Sequence, residues 1–546
     1  MDKKNFLFGI ICLFIAFSLF INQEKRLAEK SSQPQLVENT ASTPISPVQK
    51  PERVSFSMPQ QRLDKSHLVT LENEAIKVHF STLGGSIHSI ELKHYPAVQS
   101  DPRPFVFNEE ANLPALTLLW QPQHPIISPF SITEQTENFI QFCATLEDGT
   151  QIVRGYRLAA SKDRNPYVIK NEFLIQQKAH VHDHIWVSLG RLSGTVSDKY
   201  QEYLNFCSYD GKNTEFKRAA DFEASNGFFG LGRKKAQTHL VGEGQYVWNA
   251  LKNQFFTAIL TSQSPATGYL TYPSTVRGIK HLEGLVKFDL FSGQNRITSS
   301  FYVGPKDYIL LDKMGQNQDQ LMQFGFFGAI SKLLLLSMRA IHSIIPNWGW
   351  TIILLTIIIK LLMWPITQAQ LRSSKKISNI QGPLKVIREK FKNNPQKLQT
   401  ETMRLFKENR VNPAAGCLPI FIQIPIFIGL YYMLRTSSEI RFQSFLWVKD
   451  LSISDTVATI GQFPINILPI LMGITMFLQM KMTPTPTMDG MQQKIIMWMP
   501  FIFLIFCYTF PAALVLYWTV QNLFTIFQQW LTRRYSKEEQ PVTFKH

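Results

Sequence analysis

One lysine lies well inside an apolar stretch, where a charged side chain is costly. The run WTIILLTIIIKLLMWP occupies residues 350–365 and contains Lys360, with Thr356 one helical turn before it on the same face. A cation inside a membrane costs about 2.5–3.5 kcal/mol on insertion scales, so its presence indicates a water-filled cavity. A lysine near the end of a span can instead extend its charged tip to the membrane surface. The residue types alone leave these two interpretations open.

Uncharged polar side chains occur in the other apolar stretches, namely Gln423, Gln479, Thr519, Gln521 and Asn522. Hydrogen bonds between helices are their usual role in membrane bundles. A proton-coupled transporter would be expected to place Asp, Glu or His in such stretches. Those residue types are missing from 347–366, 416–434, 464–480 and 495–530. Short spans and the lack of an inverted repeat also disfavour a transporter.

Motifs of enzymes and cofactor sites are absent from the sequence. There is no P-loop, no HExxH, no GxSxG elbow and no GxGxxG between a strand and a helix. The five cysteines are scattered without metal-ligand spacing, so neither a metal nor a cofactor is expected. Cys143 and Cys207 could pair in an oxidising compartment, but free thiols are favoured. The glycine-rich GFFGLGRKK at 227–235 is predicted to be a surface loop.

The N-terminal stretch MDKKNFLFGIICLFIAFSLFINQEKR has a basic start and an apolar core without a small-residue cleavage site. Residues 1–23 are therefore predicted to be an uncleaved signal-anchor helix. Lys3 and Lys4 favour a cytoplasmic N-terminus, so the segment that follows is exported. Residues 24–53 are rich in Ser, Thr, Pro, Gln and charge, which predicts a disordered tether.

Residues 54–320 have the pattern of a large water-soluble β domain. Alternating stretches such as QIVRGYRL (151–158) and RITSSFYV (296–303) are separated by GG, DG, SG and GP turns. Few segments between them have a helical period. An antiparallel all-β domain, with the form of a sandwich, is therefore predicted.

The basic loop 367–414 decides the topology of the C-terminal half. It holds eleven Lys or Arg residues against three Glu residues, in a chain whose formal net charge is +16. Positive charges mark cytoplasmic loops, so one span must lie between the exported domain and this loop. Residues 347–366 are predicted to be that span. Residues 324–344, with Lys332 and Arg339 on one face, are predicted to lie flat on the membrane as an amphipathic helix.

The remaining segments follow from this orientation. In chain order they are the span 416–434, the exported segment 435–463, the span 464–480, the cytoplasmic loop 481–494, the spans 495–510 and 512–530, and the cytoplasmic tail 531–546. Pro511 separates the last two spans, which form a tight hairpin. The expected protein is a polytopic α-helical membrane protein with six spans, both termini in the cytoplasm and residues 24–346 exported.

The basic loop is itself predicted to form a helical hairpin. Its apolar residues recur at alternating spacings of three and four, as in a coiled-coil seam: Ile377, Ile380, Leu384, Ile387 and Phe391. A turn at 393–395 precedes a second helix over 396–410, and Gly382-Pro383 must kink or restart the first arm. The charge could attract acidic lipid or RNA, but membrane topology explains most of it, so no specific nucleic-acid binding is predicted.

Three long apolar segments carry a resemblance to a known family. They are NWGWTIILLTIIIKLLMWPITQAQ (347–370), NPAAGCLPIFIQIPIFIGLYYML (412–434) and MQQKIIMWMPFIFLIFCYTFPAALVLYWTVQNLFTIFQQ (491–529). Together they resemble the YidC membrane protein insertase family. Order and spacing agree with the family throughout 324–535, and the anchor with its β domain resembles the Gram-negative form. The resemblance implies a cell inner membrane protein whose periplasmic domain is a β-supersandwich similar to sugar-mutarotase folds, joined to a five-helix core with a hydrophilic groove.

The resemblance further implies a non-enzymatic insertase and chaperone that receives nascent membrane proteins, alone or with the Sec translocon, and helps them fold. The family's groove is open to the cytoplasm and to lipid, and its first core span carries a positive residue. Lys360 occupies that position, where the family typically has arginine, while Thr356, Tyr517 and Trp518 match the groove threonine and aromatic pair. The candidate groove residues are Lys360, Thr356, Gln423, Tyr517, Trp518, Thr519 and Asn522.

The resemblance also implies partners, and two alternative functions remain open beside it. The resemblance implies that 367–414 and the C-terminal tail dock the ribosome and targeting factors, with membrane lipids around the bundle. A secondary transporter remains an alternative, which flux into liposomes would reveal. A membrane-tethered periplasmic carbohydrate-binding or mutarotase-like protein is another, and its activity would persist in residues 54–320 alone.

Overall fold

A computed structural model describes residues 68–535, except for 100, 110, 161–162, 164, 179–180, 196–197, 199–201, 225–234, 410–417, 462 and 483–489. The chain divides into two compact units, and the boundary falls between Met322 and Gln323. We call the described residues before this boundary the β unit and those after it the helical unit. The predicted signal anchor and tether, most of the glycine-rich loop and of the tail, and part of the loop 481–494 lie outside the described residues.

The β unit contains seventeen strands within its described residues. They are β1 Leu68–Glu72, β2 Ile76–Ser81, β3 Ser86–Val98, β4 Asp101–Phe107, β5 Leu118–Gln121, β6 His124–Pro125, β7 Ser131–Gln135, β8 Phe139–Thr145, β9 Gln151–Leu158, β10 Val168–Gln176, β11 His184–Ser193, β12 Asn205–Tyr209, β13 Thr214–Arg218, β14 Leu240–Lys252, β15 Phe256–Val276, β16 Ile279–Asp289 and β17 Gln294–Pro305. A short helix, α1 Tyr308–Met314, follows them.

The strands form two antiparallel sheets. The smaller sheet has the order β1-β2-β3-β4, and the larger has thirteen strands with the main path β6-β5-β11-β16-β15-β17-β10-β9-β8-β7. Strands β12 and β13 join the larger sheet through β14, which pairs with β15. Every pairing is antiparallel, as expected of strands connected mostly by tight turns. The predicted β-sandwich domain is therefore present.

Alternating side chains explain why these segments form strands with one buried face. In β9, Ile152, Tyr156 and Leu158 are buried while Gln151 and Arg157 are exposed. Arg154 breaks the pattern because its guanidinium is fully buried. It donates to the carbonyl oxygens of Gly84 and Leu116 and lies 4.7 Å above the Phe173 ring, so the charge is held by backbone oxygens and an aromatic face.

The β unit also buries an ion pair and a thiol. Glu283 accepts hydrogen bonds from Arg191 Nε at 2.8 Å, from the Tyr272 hydroxyl at 2.8 Å and from Ser274 Oγ at 2.8 Å. Such complete pairing is what allows a carboxylate to be buried. Cys207 is a free thiol, as is Cys143, and burial raises the pKa of Cys207 to about 12. A thiol in that environment is a structural residue of low reactivity.

The helical unit contains nine α-helices and a β-hairpin within its described residues. They are α2 Gly328–Ile344, α3 Trp348–Leu362, α4 Trp364–Asn379, α5 Gln381–Lys390, α6 Pro395–Glu408, α7 Leu418–Thr436, β18 Thr456–Ile460, β19 Phe463–Asn466, α8 Ile467–Met482, α9 Gly490–Cys507 and α10 Ala512–Tyr535. Residues 508–511, with Pro511, separate α9 from α10. Proline has no N–H with which to continue the ladder of α9.

In the described part of the chain, no single helix has both the length and the hydropathy of a membrane span. The helices α3 and α4 meet that standard only as a pair that bends by 59° at its break. The shorter apolar helices are Ile467–Met482 and Met497–Cys507. The predicted span 347–366 therefore contains a helix end at Leu362, and Pro365 occupies the first turn of α4, where a missing N–H is tolerated.

The basic loop contains most of α4 and the whole of α5 and α6. Side chains from the end of α4 through α6 bury one apolar cluster, whose members are Ile377, Ile380, Leu384, Ile387 and Leu405. Asn394 caps α6 by accepting a hydrogen bond from Lys397 N at 3.1 Å, and Pro395 is its first residue. Gly382 and Pro383 lie in the first turn of α5, so the break predicted there is a helix start.

Candidate functional site

Helix α3 directs Lys360 into the bundle. Asn347 caps this helix by accepting a hydrogen bond from Trp350 N at 3.1 Å. The capped helix then buries the face that carries Thr351, Thr356 and Lys360. Thr356 and Lys360 are four residues apart and therefore lie above one another on that face.

The ammonium of Lys360 contacts α10, the last helix of the bundle. Its Nζ donates to Thr525 Oγ1 at 3.0 Å, and only 8% of the residue is exposed. This partner is a neutral hydroxyl, and no salt bridge joins Lys360 to another residue in the part of the chain that the structure describes. Thr525 in turn donates to the Gln521 carbonyl oxygen at 2.8 Å. The side chain therefore points inward and does not extend its tip to the surface.

A second polar contact links α7 to α10. Gln423 Nε2 donates to the Tyr517 hydroxyl at 2.7 Å and to Gln521 Oε1 at 3.0 Å. Tyr517 is among the largest fully buried side chains of the chain. A buried phenol needs such a partner because an unpaired hydroxyl in an apolar interior is costly.

A third polar contact links α8 to α10. Asn522 Nδ2 donates to Thr475 Oγ1 at 3.2 Å, and both residues are buried. Gln528 is also fully buried and donates from Nε2 to the Trp364 carbonyl oxygen at 3.4 Å, while its Oε1 has no partner among the described residues. The interior of the helical unit is thus polar along α10 from Tyr517 to Gln528.

The remaining candidates make more local contacts. Thr356 and Thr519 each donate to a carbonyl oxygen of their own helix, Ile352 at 2.7 Å and Val515 at 2.8 Å. Trp518 is half-buried between aromatic rings of two other helices, with centroid distances of 4.7 Å to Phe427 and 4.6 Å to Phe503. The structure therefore brings Gln423 and Tyr517 together, but it places Lys360, Asn522 and Trp518 in separate contacts along α10.

Sequence reasoning missed the partners that complete these contacts. Thr525 and Gln528 were not among the candidates, although they follow Asn522 at intervals of three along α10. Three-residue spacing keeps side chains near one face of a helix, so this stripe was a usable signal. Thr475 carried no such signal, because one threonine in an apolar helix is common.

Metal chemistry receives no support from the geometry. Within the ranges that the structure describes, no group of three or more His, Cys, Asp and Glu side chains could hold a metal ion. The site consists of hydroxyl, amide, phenol, indole and ammonium groups. Such groups can exchange hydrogen bonds and present a positive charge to a polar segment.

Two protein families match the chain, one for each unit. The family described as "YidC periplasmic domain" matches residues 68–336, and the family described as "60Kd inner membrane protein" matches residues 340–539. With the β-sandwich unit and the helical unit, these matches define the class: an inner membrane protein with a periplasmic domain.

Relatives along the whole length identify the family. The chain is 30% identical to the membrane protein insertase YidC of Haemophilus influenzae strain PittEE, over 98% of each chain. It is 31% identical to the membrane protein insertase YidC of Mannheimia succiniciproducens, again over 98% of each chain. The chain belongs to the YidC family of membrane protein insertases.

Solved structures are more distant. An active YidC insertase covers 89% of this chain and 96% of its own, with 17% identity and a TM-score of 0.37. A galactose mutarotase related enzyme from Lactobacillus acidophilus covers 43% of this chain and 97% of its own, with 14% identity and a TM-score of 0.28. The assignment rests on the sequence relatives.

The predicted family and function are thereby confirmed. The chain is a membrane protein insertase, its substrates are nascent membrane proteins, and the transporter alternative is not favoured. The family is not one of known enzymes. The role of each candidate residue stays a prediction.

Proposed function

We propose that this insertase receives the hydrophilic segment of a nascent membrane protein among the candidate groove residues, with Lys360 as the positive charge. One observation carries the proposal: the buried ammonium of Lys360 donates a hydrogen bond to a neutral hydroxyl, that of Thr525. An ammonium has three donors, so donors remain for a carboxylate on the substrate. The charge attracts acidic segments, and the hydroxyl only positions it.

The neighbouring polar contacts supply the rest of the groove. Gln423, Tyr517 and Gln521 bond to one another, and Asn522 bonds to Thr475. Each can exchange this bond for one to a substrate backbone or side chain, which lowers the cost of moving a polar segment partway across. The apolar substrate helix then leaves into lipid, and its burial there supplies the driving force.

The proposed topology orients this groove. We place 1–23, α3 with the start of α4, α7, α8, α9 and α10 across the membrane, with both termini cytoplasmic and 24–346 periplasmic. The eleven cations of 367–414 support the cytoplasmic side of that loop. The same loop and the tail are the proposed contacts for the ribosome and targeting factors, and the Sec translocon is the proposed partner in the membrane.

Charge variants at Lys360 test the proposal. Lys360→Met keeps the length of the side chain and removes the charge, so we expect insertion of substrates with acidic exported tails to fall about tenfold, as for the loss of one charged contact. Lys360→Arg should retain insertion because the charge remains. Protease protection of radiolabelled substrates in vesicles measures both.

Lys481→Met is the matched control. This exposed lysine lies at the end of α8, above the Phe477 ring at 4.7 Å, and removing it changes the net charge equally. Insertion should be unchanged. Equal insertion by Lys360→Met and the parent protein across acidic-tailed substrates would refute the role of the charge.

A further inference from the structure

The segment between α7 and α8 exposes large apolar side chains at two tips. The most exposed are Leu446 at 73%, Ile460 at 72% and Phe463 at 62%. Trp447, Ile453 and Val457 of the same segment are also exposed. A short segment that exposes this many large apolar side chains is typical of an interaction surface and not of a water-facing loop.

The first tip is the hairpin β18–β19. Its register pairs Ile460 with Phe463, and Gly461, with φ of +62°, forms the turn between them. The hairpin is held at its base: Asn466 Nδ2 donates to the Tyr508 carbonyl oxygen at 2.6 Å, and the Tyr508 hydroxyl donates to Pro464 O at 2.6 Å. Residues 456–466 contain no charged side chain.

The second tip is a tight turn between Phe445 and Val448. These two residues exchange both backbone hydrogen bonds at 2.9 Å, which leaves Leu446 and Trp447 at the tip. Leu446 has φ of +51°, a conformation that glycine or asparagine adopts more easily. A leucine in this conformation and in this exposure indicates that the turn meets an apolar phase.

The acids of the segment are turned inward. Glu439 forms an ion pair with Arg339 of α2, and Asp450 accepts from Ser452 N at 2.8 Å. Asp455 Oδ2 accepts from Trp447 Nε1 at 3.1 Å and from Leu468 N, at the start of α8, at 2.7 Å. Lys449 stays exposed. The outer surface is therefore apolar with a cation beside it, the combination that suits phospholipid headgroups and the upper acyl chains.

Helix α8 shows which apolar phase this is. Strand β19 ends at Asn466 and α8 begins at Ile467, so the hairpin continues directly into the helix. Along α8, Ile470, Ile474 and Leu478 are exposed at intervals of four, one continuous apolar stripe. In a membrane insertase such a stripe faces lipid, and the hairpin extends it at the periplasmic end.

We propose that the tips Leu446–Trp447 and Ile460–Phe463 insert into the periplasmic leaflet of the bilayer beside α8. The occupant of this surface is phospholipid. The contact fixes the depth of the bundle at its periplasmic end, independently of the groove. This inference goes beyond the proposed function and shares with it only the proposed topology.

Spin-label depth measurements test the proposal on the full-length protein. In a background in which the five cysteines are replaced by serine or alanine, nitroxides are attached to Ile460→Cys and Leu446→Cys, and the protein is placed in nanodiscs of phosphatidylethanolamine and phosphatidylglycerol. The matched control is Phe291→Cys, an apolar residue of the β unit that is 74% exposed. Nitroxides at 446 and 460 should collide more often with oxygen, which concentrates in the membrane interior, than with a water-soluble nickel chelate. A nitroxide at 291 should collide more often with the nickel chelate.

If the nitroxide at 460 collided more often with the nickel chelate than with oxygen, to the same extent as the nitroxide at 291, the proposal would be overturned. A photo-crosslinking side chain at 460 in native membranes gives a second measurement, with phospholipid adducts expected. Adducts formed mainly with a protein would overturn it as well.

Labelling of Ser444→Cys and Phe291→Cys by an impermeant maleimide tests the topology separately. Labelling of the two positions from opposite sides of the membrane would overturn the inference, because the tips would then not face the periplasmic leaflet.

Discussion

Lys360 sits four residues after Thr356 and bonds to a residue 165 positions later in the chain, Thr525. The contact is between a cation and a neutral hydroxyl, so it positions the charge without neutralising it. A carboxylate at Thr525 would do the reverse, because it would compete with an acidic substrate for the same ammonium. The choice of a threonine as partner is therefore consistent with a charge kept available.

A substitution at Thr525 tests whether its hydroxyl stabilises the buried ammonium. Thr525→Val preserves shape and removes the hydroxyl, which leaves the ammonium without its described partner. We expect a loss of about 1–3 kcal/mol in the free energy of unfolding in mixed detergent micelles. Thr525→Ser retains the donor and acceptor and should stay within about 1 kcal/mol of the parent protein. Equal stability of the valine variant and the parent would show that the contact is incidental.

A second prediction concerns Lys252, which is fully buried in the β unit. Burial lowers its pKa to about 8 from the ordinary 10.5, despite the favourable field of Asp198. The unfolded chain therefore binds more protons than the folded chain between pH 8 and 10.5, so stability rises with pH across that window. Below pH 8 the folded protein carries the full penalty, on the order of 3 kcal/mol.

Lys252→Met tests this sign. The variant should be more stable than the parent at pH 7, and the difference should shrink as the pH approaches 10. Lys170→Met, which alters an exposed lysine of β10, should show no such convergence. Pulse proteolysis in urea at several pH values gives the free energies. A difference independent of pH would mean that Lys252 is protonated equally in both states.

Among the helices, α3 is held at its start in two ways. Its start is capped by Asn347 and packs closely against the segment that follows α7, because Gly349 lies against Phe445. A β-carbon at Gly349 would lie 2.1 Å from the Phe445 ring, well inside contact distance. The glycine is thus needed for this approach, which brings the start of α3 to the Leu446–Trp447 turn.

The prediction for this element is that Gly349→Ala destabilises the helical unit. We expect a loss of about 1–3 kcal/mol in the free energy of unfolding from overpacking. The new methyl group would meet Phe445 near its Cβ and Cγ, where the side chain joins the backbone and cannot easily move aside. The matched control is Gly382→Ala in α5, where a β-carbon would meet nothing within 4 Å. That change should be neutral or stabilising by up to about 1 kcal/mol. Thermal unfolding in detergent compares the two, and identical midpoints would contradict the packing argument.

At the scale of the whole molecule, the division into two units separates the site from the β domain. Every candidate groove residue lies after the boundary at Met322, and the large strand core lies before it. The polar contacts described above join α10 to α3, α4, α7 and α8, all in the helical unit. The β unit therefore supplies none of the side chains proposed to contact the substrate.

A deletion tests this separation. Removing 68–305, which leaves the predicted anchor and tether and all helices from α1 onward, should preserve insertion of a small substrate within a factor of about ten, a difference of about 1.4 kcal/mol, because every side chain proposed to contact the substrate remains. The measurement is insertion in cells depleted of the full-length protein. Insertion abolished for every substrate, with the truncated chain present in membranes at the normal level, would show that the β unit takes part in the core activity.

Local sequence pattern determines much of this fold. Alternation in QIVRGYRL predicts β9 with its observed bounds, because a strand with one buried face needs only a period of two. Apolar runs and the charges of 367–414 divide the helical half into segments that match α7 to α10 within a few residues. The motifs around Lys360 and Tyr517 were sufficient to predict the family and the insertase function.

Only the tertiary structure decided which side chains meet. Helical period places Lys360 and Thr356 on one face and Asn522, Thr525 and Gln528 on another, but it does not say which faces meet, so packing alone pairs Lys360 with Thr525 and Asn522 with Thr475. The same holds for the end of α3 at Leu362 and for the exposed tips at Leu446 and Ile460. Periodicity is a property of neighbouring residues, whereas these contacts join residues far apart in the chain, and the packing of the helices alone selects them.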